Sequence, residues 1–247
     1  MLIAALAFSL PGFRTGEPAP PFPDPPTAYT YREVRASNGV VLHTMKTSPR
    51  NVRLEAVSTN VLETRRYGIN GGFFYNGDLL SIAVQNDRPV TRERGAFGSG
   101  WTNVKYSRGT LVWDGAARAW SVQQAASAGE LAVSDRSEYW AQGGISMSLR
   151  DEARWAEQAA KEAMPFAADR RMRTGLVYNT GLNVWFIVSP VPCTAAEFRS
   201  AILETVGSGT LVDGIFLDGD GSSQMQCTEV QLPGDSRSVY QMLTLIN

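Results

Sequence analysis

The sequence is poor in the two residue types that most often carry reactive chemistry. It has one histidine, His43, and two cysteines, Cys193 and Cys227, in 247 residues. Neither a three-histidine zinc site nor a zinc finger can be built from that set within one chain. A Ser-His-Asp triad would have to recruit His43. That residue sits in the alternating run Val40-Val41-Leu42-His43-Thr44-Met45 and reads as an ordinary strand residue. Acid–base chemistry therefore falls to carboxylates, tyrosines, lysines or water.

An excess of charge of one sign is also lacking. Lys plus Arg number 23 against 24 Asp plus Glu, a formal net charge of -1. That balance argues against a protein whose main task is gripping nucleic acid. The composition, 43% hydrophobic and 19% charged, is that of an ordinary folded chain without bulk disorder. The apolar run at 2–10, LIAALAFSL, is too short to span a bilayer. With Ala5-Leu6-Ala7 as an A-x-A-like site but no charged n-region, residues 1–10 read as a truncated secretory signal. Six prolines between Pro18 and Pro26 make 11–28 an extended spacer, and the folded domain is expected at 29–247. The expected location is periplasmic or extracellular. Export permits a Cys193–Cys227 disulfide, and two buried free thiols are the alternative.

From Tyr29 the chain reads as short strands. Residues 29–36 and 40–46 alternate around the turn Ser37-Asn38-Gly39, and 52–58 is a third run. Further strands are expected at 79–85, 110–113 and 120–122, the last two joined through Asp114-Gly115. A hairpin is expected across Asn179-Thr180-Gly181, from 174–178 to 183–188. Two helices stand out. Residues 151–164 are Ala- and Glu-rich and stop at Pro165, and 194–206 opens with the capping box Thr194/Glu197. A short apolar strand at 214–217 delivers Asp218. The expectation is one α+β domain with much antiparallel sheet.

Four segments are hard to explain as packing alone. Asn70-Gly71-Gly72-Phe73-Phe74 offers a carboxamide to a ligand and free N–H groups to an anion beside a glycine pair, a tight turn before a strand being the alternative. Gly143-Gly144 follows Gln142. Arg170-Arg171-Met172-Arg173-Thr174 opens a strand with three guanidinium forks, the geometry that matches phosphate or carboxylate. Leu217-Asp218-Gly219-Asp220-Gly221-Ser222-Ser223 brings a carboxylate off a strand end into small residues and two hydroxyls. The spacing of Asp218, Asp220, Ser222, Gln224 and Glu229 also echoes a calcium loop. Ser223 stands where that loop needs glycine, and a strand rather than a helix precedes it.

Taken in order, NGGFF, QGGISM, RT at a strand start, a capped helix and LDGDGSS resemble the phosphodiester glycosidase domain family. Its members include a lysosomal N-acetylglucosamine-1-phosphodiester α-N-acetylglucosaminidase and bacterial exported proteins. The likeness runs from Tyr29 to the C-terminus. The family's motifs read approximately N-G-G-F-F, P-R-T and D-G-G-G-S. Here Met172 replaces the proline and Asp220 replaces a glycine. The resemblance implies glycosidic C–O cleavage in a sugar 1-phosphodiester, a reaction that needs a carboxylate near the anomeric carbon and a cation near phosphate. It assigns the carboxylate to Asp218 and phosphate to Arg173, with Arg171 as second cation. Asn70, Gly71 and Gly72 would orient sugar or phosphate, with Gly143 and Gly144 also contributing to the substrate site. Thr174, Gly219, Gly221, Ser222 and Ser223 would line it, and Asp220 would add a second carboxylate. No cofactor is implied, calcium at Asp218/Asp220 being the one alternative. The expected partner is a small-molecule or glycan phosphodiester. A non-catalytic sugar-phosphate- or glycan-binding module and a calcium-stabilised exported domain stand as the other readings.

Overall fold

The computed structural model describes residues 26–247. The expected signal segment and residues 11–25 of the spacer lie outside the described residues. Alternating apolar and polar residues build an antiparallel hairpin from β1 (Tyr29–Arg35) and β2 (Val41–Thr47), turned at Ser37–Gly39 as the sequence suggests. Short strands follow: β3 (Val52–Ala56), β4 (Gly68–Asn70), β5 (Phe74–Tyr75), β6 (Asp78–Leu79), β7 (Ala83–Gln85) and β8 (Arg88–Pro89). The single strand expected at 79–85 is broken because its middle bonds elsewhere. Ser81 Oγ accepts from Phe73 N–H, and Ile82 N–H donates to Asn103 Oδ1. Then come the hairpin β9 (Arg108–Asp114) and β10 (Ala119–Ala125), β11 (Tyr139–Gly143) and β12 (Ile145–Ser146).

The first helix, α1, spans only Trp155–Lys161, shorter than the pattern suggests at both ends. Ala163 takes a left-handed conformation (φ 55°), and Met164 N–H reaches back to Ala159 C=O. That is a Schellman-type ending with alanine where glycine is usual. It stops the helix before Pro165 does. The long hairpin β13 (Arg171–Asn179) and β14 (Val184–Cys193) follows, then α2 (Ala195–Thr205), β15 (Leu211–Phe216), β16 (Met225–Gln226), β17 (Gln231–Leu232) and β18 (Gln241–Leu245). The capping box of α2 forms as expected, Thr194 Oγ1 accepting from Glu197 N–H and Glu197 Oε2 from Thr194 N–H.

A six-stranded sheet in the order β1-β2-β14-β13-β15-β12 is the centre of the molecule. Both of its faces are covered, so its inner strands read as nearly continuous apolar runs. Leu42, Val177, Ile187 and Phe216 point to one side and pack on Phe198 and Ile202 of α2. Met45, Leu176, Phe186 and Ile215 point to the other. They meet Leu54, Ile69, Leu243, Trp113 and Trp140 from two five-stranded sheets, β17-β16-β4-β18-β3 and β10-β9-β11-β7-β8. A two-stranded β5-β6 ribbon completes four sheets, all strand pairs antiparallel. The architecture is a single, predominantly β, α+β domain. Among the described residues no helix is long and apolar enough to cross a membrane.

The carboxylate of Glu162, just past α1, is buried and ties three elements together. Its Oε2 accepts from Gly109 N–H at 2.8 Å and Ser146 N–H at 2.7 Å, and its Oε1 from Gln158 at 2.7 Å. Removing it strands two buried amide donors. Glu162→Ala should lower the melting temperature by roughly 5–10 °C, and Glu162→Gln, which keeps an acceptor oxygen, by distinctly less. Differential scanning calorimetry on the two variants checks this.

Candidate active site

Strands β13 and β15 are neighbours, with Gly175 opposite Phe216. The beginning of β13 and the residues just after β15 therefore share one end of the sheet. Leu217 N–H donates to Thr174 C=O at 2.9 Å, and Asp218 N–H to Gly71 C=O at 3.2 Å. There the chain encloses a pocket of about 150 Å³. Asp218, Gly219, Asp220, Arg171, Arg173 and Thr174 line it, closed by the apolar groups of Phe73, Met164, Phe166 and Phe216. A register shift between Arg171 and Arg173 against β14 lies at the pocket edge, a place where such irregularities re-aim side chains.

The two opposite charges in this pocket are set differently. Asp218 is half-buried, and desolvation pushes its carboxyl up to about 6 from 3.8. Gly219 N–H, 3.1 Å from Oδ1, and the positive charge of Arg237 pull the other way. So does the Ser222 hydroxyl, which faces the carboxylate without reaching strict hydrogen-bond geometry. Arg173 is only 6% exposed. Its Nε donates to Cys193 C=O at 3.0 Å, and its Nη2 to Phe166 and Asp169 C=O, both at 2.7 Å. Its Nη1 has no partner among the described residues, and no carboxylate there forms an ion pair with it. Burial works against this guanidinium's charge, so an anion entering the pocket would relieve it.

Arg171 and Arg237 also border the pocket but are engaged. Arg171 Nη1 lies 3.1 Å from Asp220 Oδ2, its Nη2 3.4 Å from Asp169, and its guanidinium 4.6 Å above the Phe166 ring. Arg237 Nε grips Asp235, 2.9 Å from Oδ1. Asp220 sits at φ 54°, the left-handed region that glycine adopts without cost.

The expectation that 70–72 offers free amide groups is corrected. Asn70 N–H donates to Gln224 C=O, Gly71 N–H to Gln241 C=O, and Gly72 N–H to Gln241 Oε1. The glycines are needed for packing. A Cβ on Gly71 would sit 1.5 Å from Gln241 Oε1, and one on Gly72 2.5 Å from Ser81 Cβ. Asn70, 1% exposed, is a positioning residue. Its Nδ2 donates to Asp218 C=O at 2.9 Å, and its Oδ1 accepts from Thr174 Oγ1 at 3.1 Å and Gln224 N–H at 3.0 Å.

Gly143 and Gly144 are corrected as well. They do not line the pocket but allow close strand approach, a Cβ on Gly144 falling 2.2 Å from Phe216 O. Gly221, Ser222 and Ser223 lie off the pocket wall. Gly221 makes room for the Asp235–Arg237 pair, since a Cβ there would meet Asp235 Oδ2 at 2.0 Å. Both serine hydroxyls are buried; that of Ser222 acts on the Asp218 carboxylate, and that of Ser223 has no partner among the described residues.

The calcium-like spacing does not become a donor cluster. Gln224 Oε1 accepts from Val61 N–H, Glu229 accepts from Tyr29 OH, and Asp220 is paired with Arg171. Cys193 and Cys227 are both free and buried, with burial pushing the Cys227 thiol up to about 12. His43 is buried in β2 and bonded through Nδ1 to Tyr31 OH at 2.7 Å, an ordinary strand residue as read from sequence. The sequence reading missed Arg237, Met164 and Phe166. Phe166 is 59% exposed at the pocket mouth, and nothing in its local sequence marks it.

No family model matches the chain, and no curated protein matches it in sequence. Solved structures do match in fold. One is the zebrafish N-acetylglucosamine-1-phosphodiester α-N-acetylglucosaminidase catalytic domain, auto-inhibited by its pro-peptide. It has a TM-score of 0.57 and 12% identity, with 89% of this chain and 82% of that one covered. Another is a hypothetical protein from Synechocystis, with a TM-score of 0.52 and 14% identity, covering 90% of this chain and 64% of that longer one. The likeness is one of fold.

The raised Asp218 carboxyl has a measurable consequence. The folded chain keeps this proton to higher pH than the unfolded chain, so the group's contribution is intact below about pH 4 and lost as pH rises through 6. Asp218→Asn removes that loss. The variant should melt above wild type at pH 7.5, with the gap closing toward pH 4. Melting temperatures across that range check it, and a gap independent of pH would refute the shift.

Proposed function

We propose that this chain is a hydrolase that cleaves the C1–O bond of a sugar 1-phosphodiester. The observation that carries the reading is the pocket itself. A half-buried carboxylate, Asp218, shares it with a buried guanidinium, Arg173, that no carboxylate pairs. Such a pair suits a substrate that is anionic on one side of the scissile bond and develops positive charge on the other. Fold likeness to a phosphodiester glycosidase catalytic domain supports the same reading. The signal-like pattern at 1–10 supports an exported enzyme.

In this reading Arg173 Nη1 donates to the phosphate oxygens, with Arg171 as the second cation. The C1–O electron pair leaves with the phosphate oxygen, which needs little protonation to depart. Asp218, ionised, stabilises the oxocarbenium-like charge at C1. Water adds to C1 and gives its proton to Asp218 and then to solvent, leaving free sugar and a phosphomonoester. Asn70 acts through the Asp218 carbonyl and Thr174, and Phe73 and Phe166 offer apolar surface to the sugar or aglycone. Because the carboxylate form is the working one, the rate should rise with pH through about 6.

A second reading, a sugar-phosphate-binding module without turnover, is favoured by one observation: Asp220 already occupies Arg171 at 3.1 Å. Asp220→Gly frees that cation at a backbone conformation glycine prefers.

The test is release of free sugar, followed by mass spectrometry, from a panel of sugar 1-phosphodiesters including UDP-N-acetylglucosamine. Asp218→Asn should reduce turnover by about 100-fold or more with the fold intact. Arg173→Ala should chiefly raise KM, and Asp220→Gly should lower it by about fivefold. Full turnover in Asp218→Asn would sink the assignment. Binding of sugar phosphates without turnover in any variant would establish the second reading.

A further inference from the structure

A second pocket, of about 270 Å³, opens at the other end of the central strands. Asn179, the last residue of β13, lines it, whereas Arg171, Arg173 and Thr174 of the same strand line the Asp218 pocket. Five residues of strand separate Thr174 from Asn179, about 17 Å. The floor is the α2-facing side of β1, β2 and β14, and the roof is the end of α2 with the loop that follows it.

Two cations meet here. Arg32 on β1 and Lys46 on β2 point to the same face and are diagonal neighbours, since Arg32 pairs with Thr44 and Thr30 with Lys46. That register holds their Cα atoms about 7–8 Å apart. Neither side chain makes a hydrogen bond or ion pair with any described residue, and no Asp or Glu lines the pocket. The nearby acids are turned away or engaged. Glu33 faces the opposite side of β1, beside His43, and Glu204 accepts from the Ser37 N–H and hydroxyl at 2.8 and 2.7 Å. Elsewhere in the chain, arginines such as Arg136, Arg170 and Arg171 are matched to carboxylates. The C-terminus of α2 beside the pair carries about half a negative charge, which offsets only part of two positive ones. The rest of the lining is mixed: the hydroxyls of Thr30 and Ser208 and the Asn183 carboxamide oxygen are unengaged, Val34, Val206 and Trp185 are apolar, and the side chains of Thr44, Asn179, Thr205 and Thr210 are bonded within the fold. Trp185 is 8% exposed, and its indole N–H donates to no described residue.

We propose that this pocket is a binding site for a saccharide bearing an oxyanion, distinct from the Asp218 pocket and independent of the reaction assigned to it. Arg32 and Lys46 take the phosphate or carboxylate oxygens. The hydroxyl and carboxamide groups meet sugar hydroxyls, and the Trp185 indole supplies a donor and an apolar edge.

The experiment is isothermal titration of the full chain with glucose 6-phosphate, glucuronate, inorganic phosphate and neutral glucose, with the Trp185 indole resonance followed by NMR. Trp185→Phe assigns that resonance. Glucose 6-phosphate or glucuronate should bind, more tightly than phosphate or glucose alone, and shift the Trp185 signal. Which of the two binds better names the oxyanion. The double variant Arg32→Gln/Lys46→Gln should weaken that binding by about tenfold or more at an unchanged melting temperature. Arg171→Gln, in the other pocket, should leave it unaffected. The proposal is overturned if no probe binds, if binding survives the double variant, or if Arg171→Gln abolishes it. It is overturned equally if phosphate binds as well as the sugar phosphate. A double variant that melts lower with no change in ligand binding would assign the two cations to the end of α2 instead.

Discussion

The Asn70 carboxamide makes one buried knot out of segments far apart in the chain. Through it β4 is joined to Thr174 on β13, to the Asp218 carbonyl beyond β15, and to Gln224 before β16. Only a side chain with both a donor and an acceptor at this length can serve all three. The glycines that follow have the same purpose, since Gly71 and Gly72 let Gln241 and Ser81 approach to distances that any Cβ would block. The carboxylate of Asp218 is thus aimed by backbone and amide contacts behind it. Asp218 itself lines the pocket.

The electrostatics of the pocket follow from which charges found partners. Arg173 is anchored by three backbone carbonyls, which fix its plane but carry no net charge to balance it. Asp218 lies in the same partly desolvated space and, by its raised carboxyl, is short of cationic support. Had the two been bonded as a tight ion pair, the carboxyl would be held low rather than pushed up. The site therefore keeps separate charges of both signs. That is unfavourable for the empty protein and favourable for a ligand that carries the complement of each.

The antiparallel hairpins and the capped helix were legible because their causes are local. Alternation, a Ser-Asn-Gly turn and a Thr-x-x-Glu box are each contained within a few residues. The existence of the first helix was legible too, but its limits were not, because its end depends on Ala163 in a left-handed conformation and on Glu162 drawn inward by Gly109 and Ser146. That Asp218, Arg171 and Arg173 stand at strand ends was legible, and the fold brings the three to one pocket. The purpose of the glycine pairs was not, since a glycine reports that something comes close without saying what. For Gly71 it is Gln241, 170 positions away in the chain, and for Gly144 it is a neighbouring strand. Phe166 and Arg237 reach the pocket only through the path of loops, for which the sequence carries no period.

An aspartate at position 220 makes physical sense once Arg171 is considered with it. A carboxylate added beside Asp218 alone would raise repulsion in a space already short of counter-charge. Asp220 is turned toward Arg171, which is held in turn by Asp169 and the face of Phe166, and only its residual charge helps raise the Asp218 carboxyl. The Asp220–Arg171 pair sums to no net charge, and aspartate is among the few residues that accept a left-handed backbone. What it alters is availability. Arg171 is met by an internal carboxylate, whereas Arg173 has no carboxylate in ion-pair contact and feels Asp169 and Asp220 only at longer range.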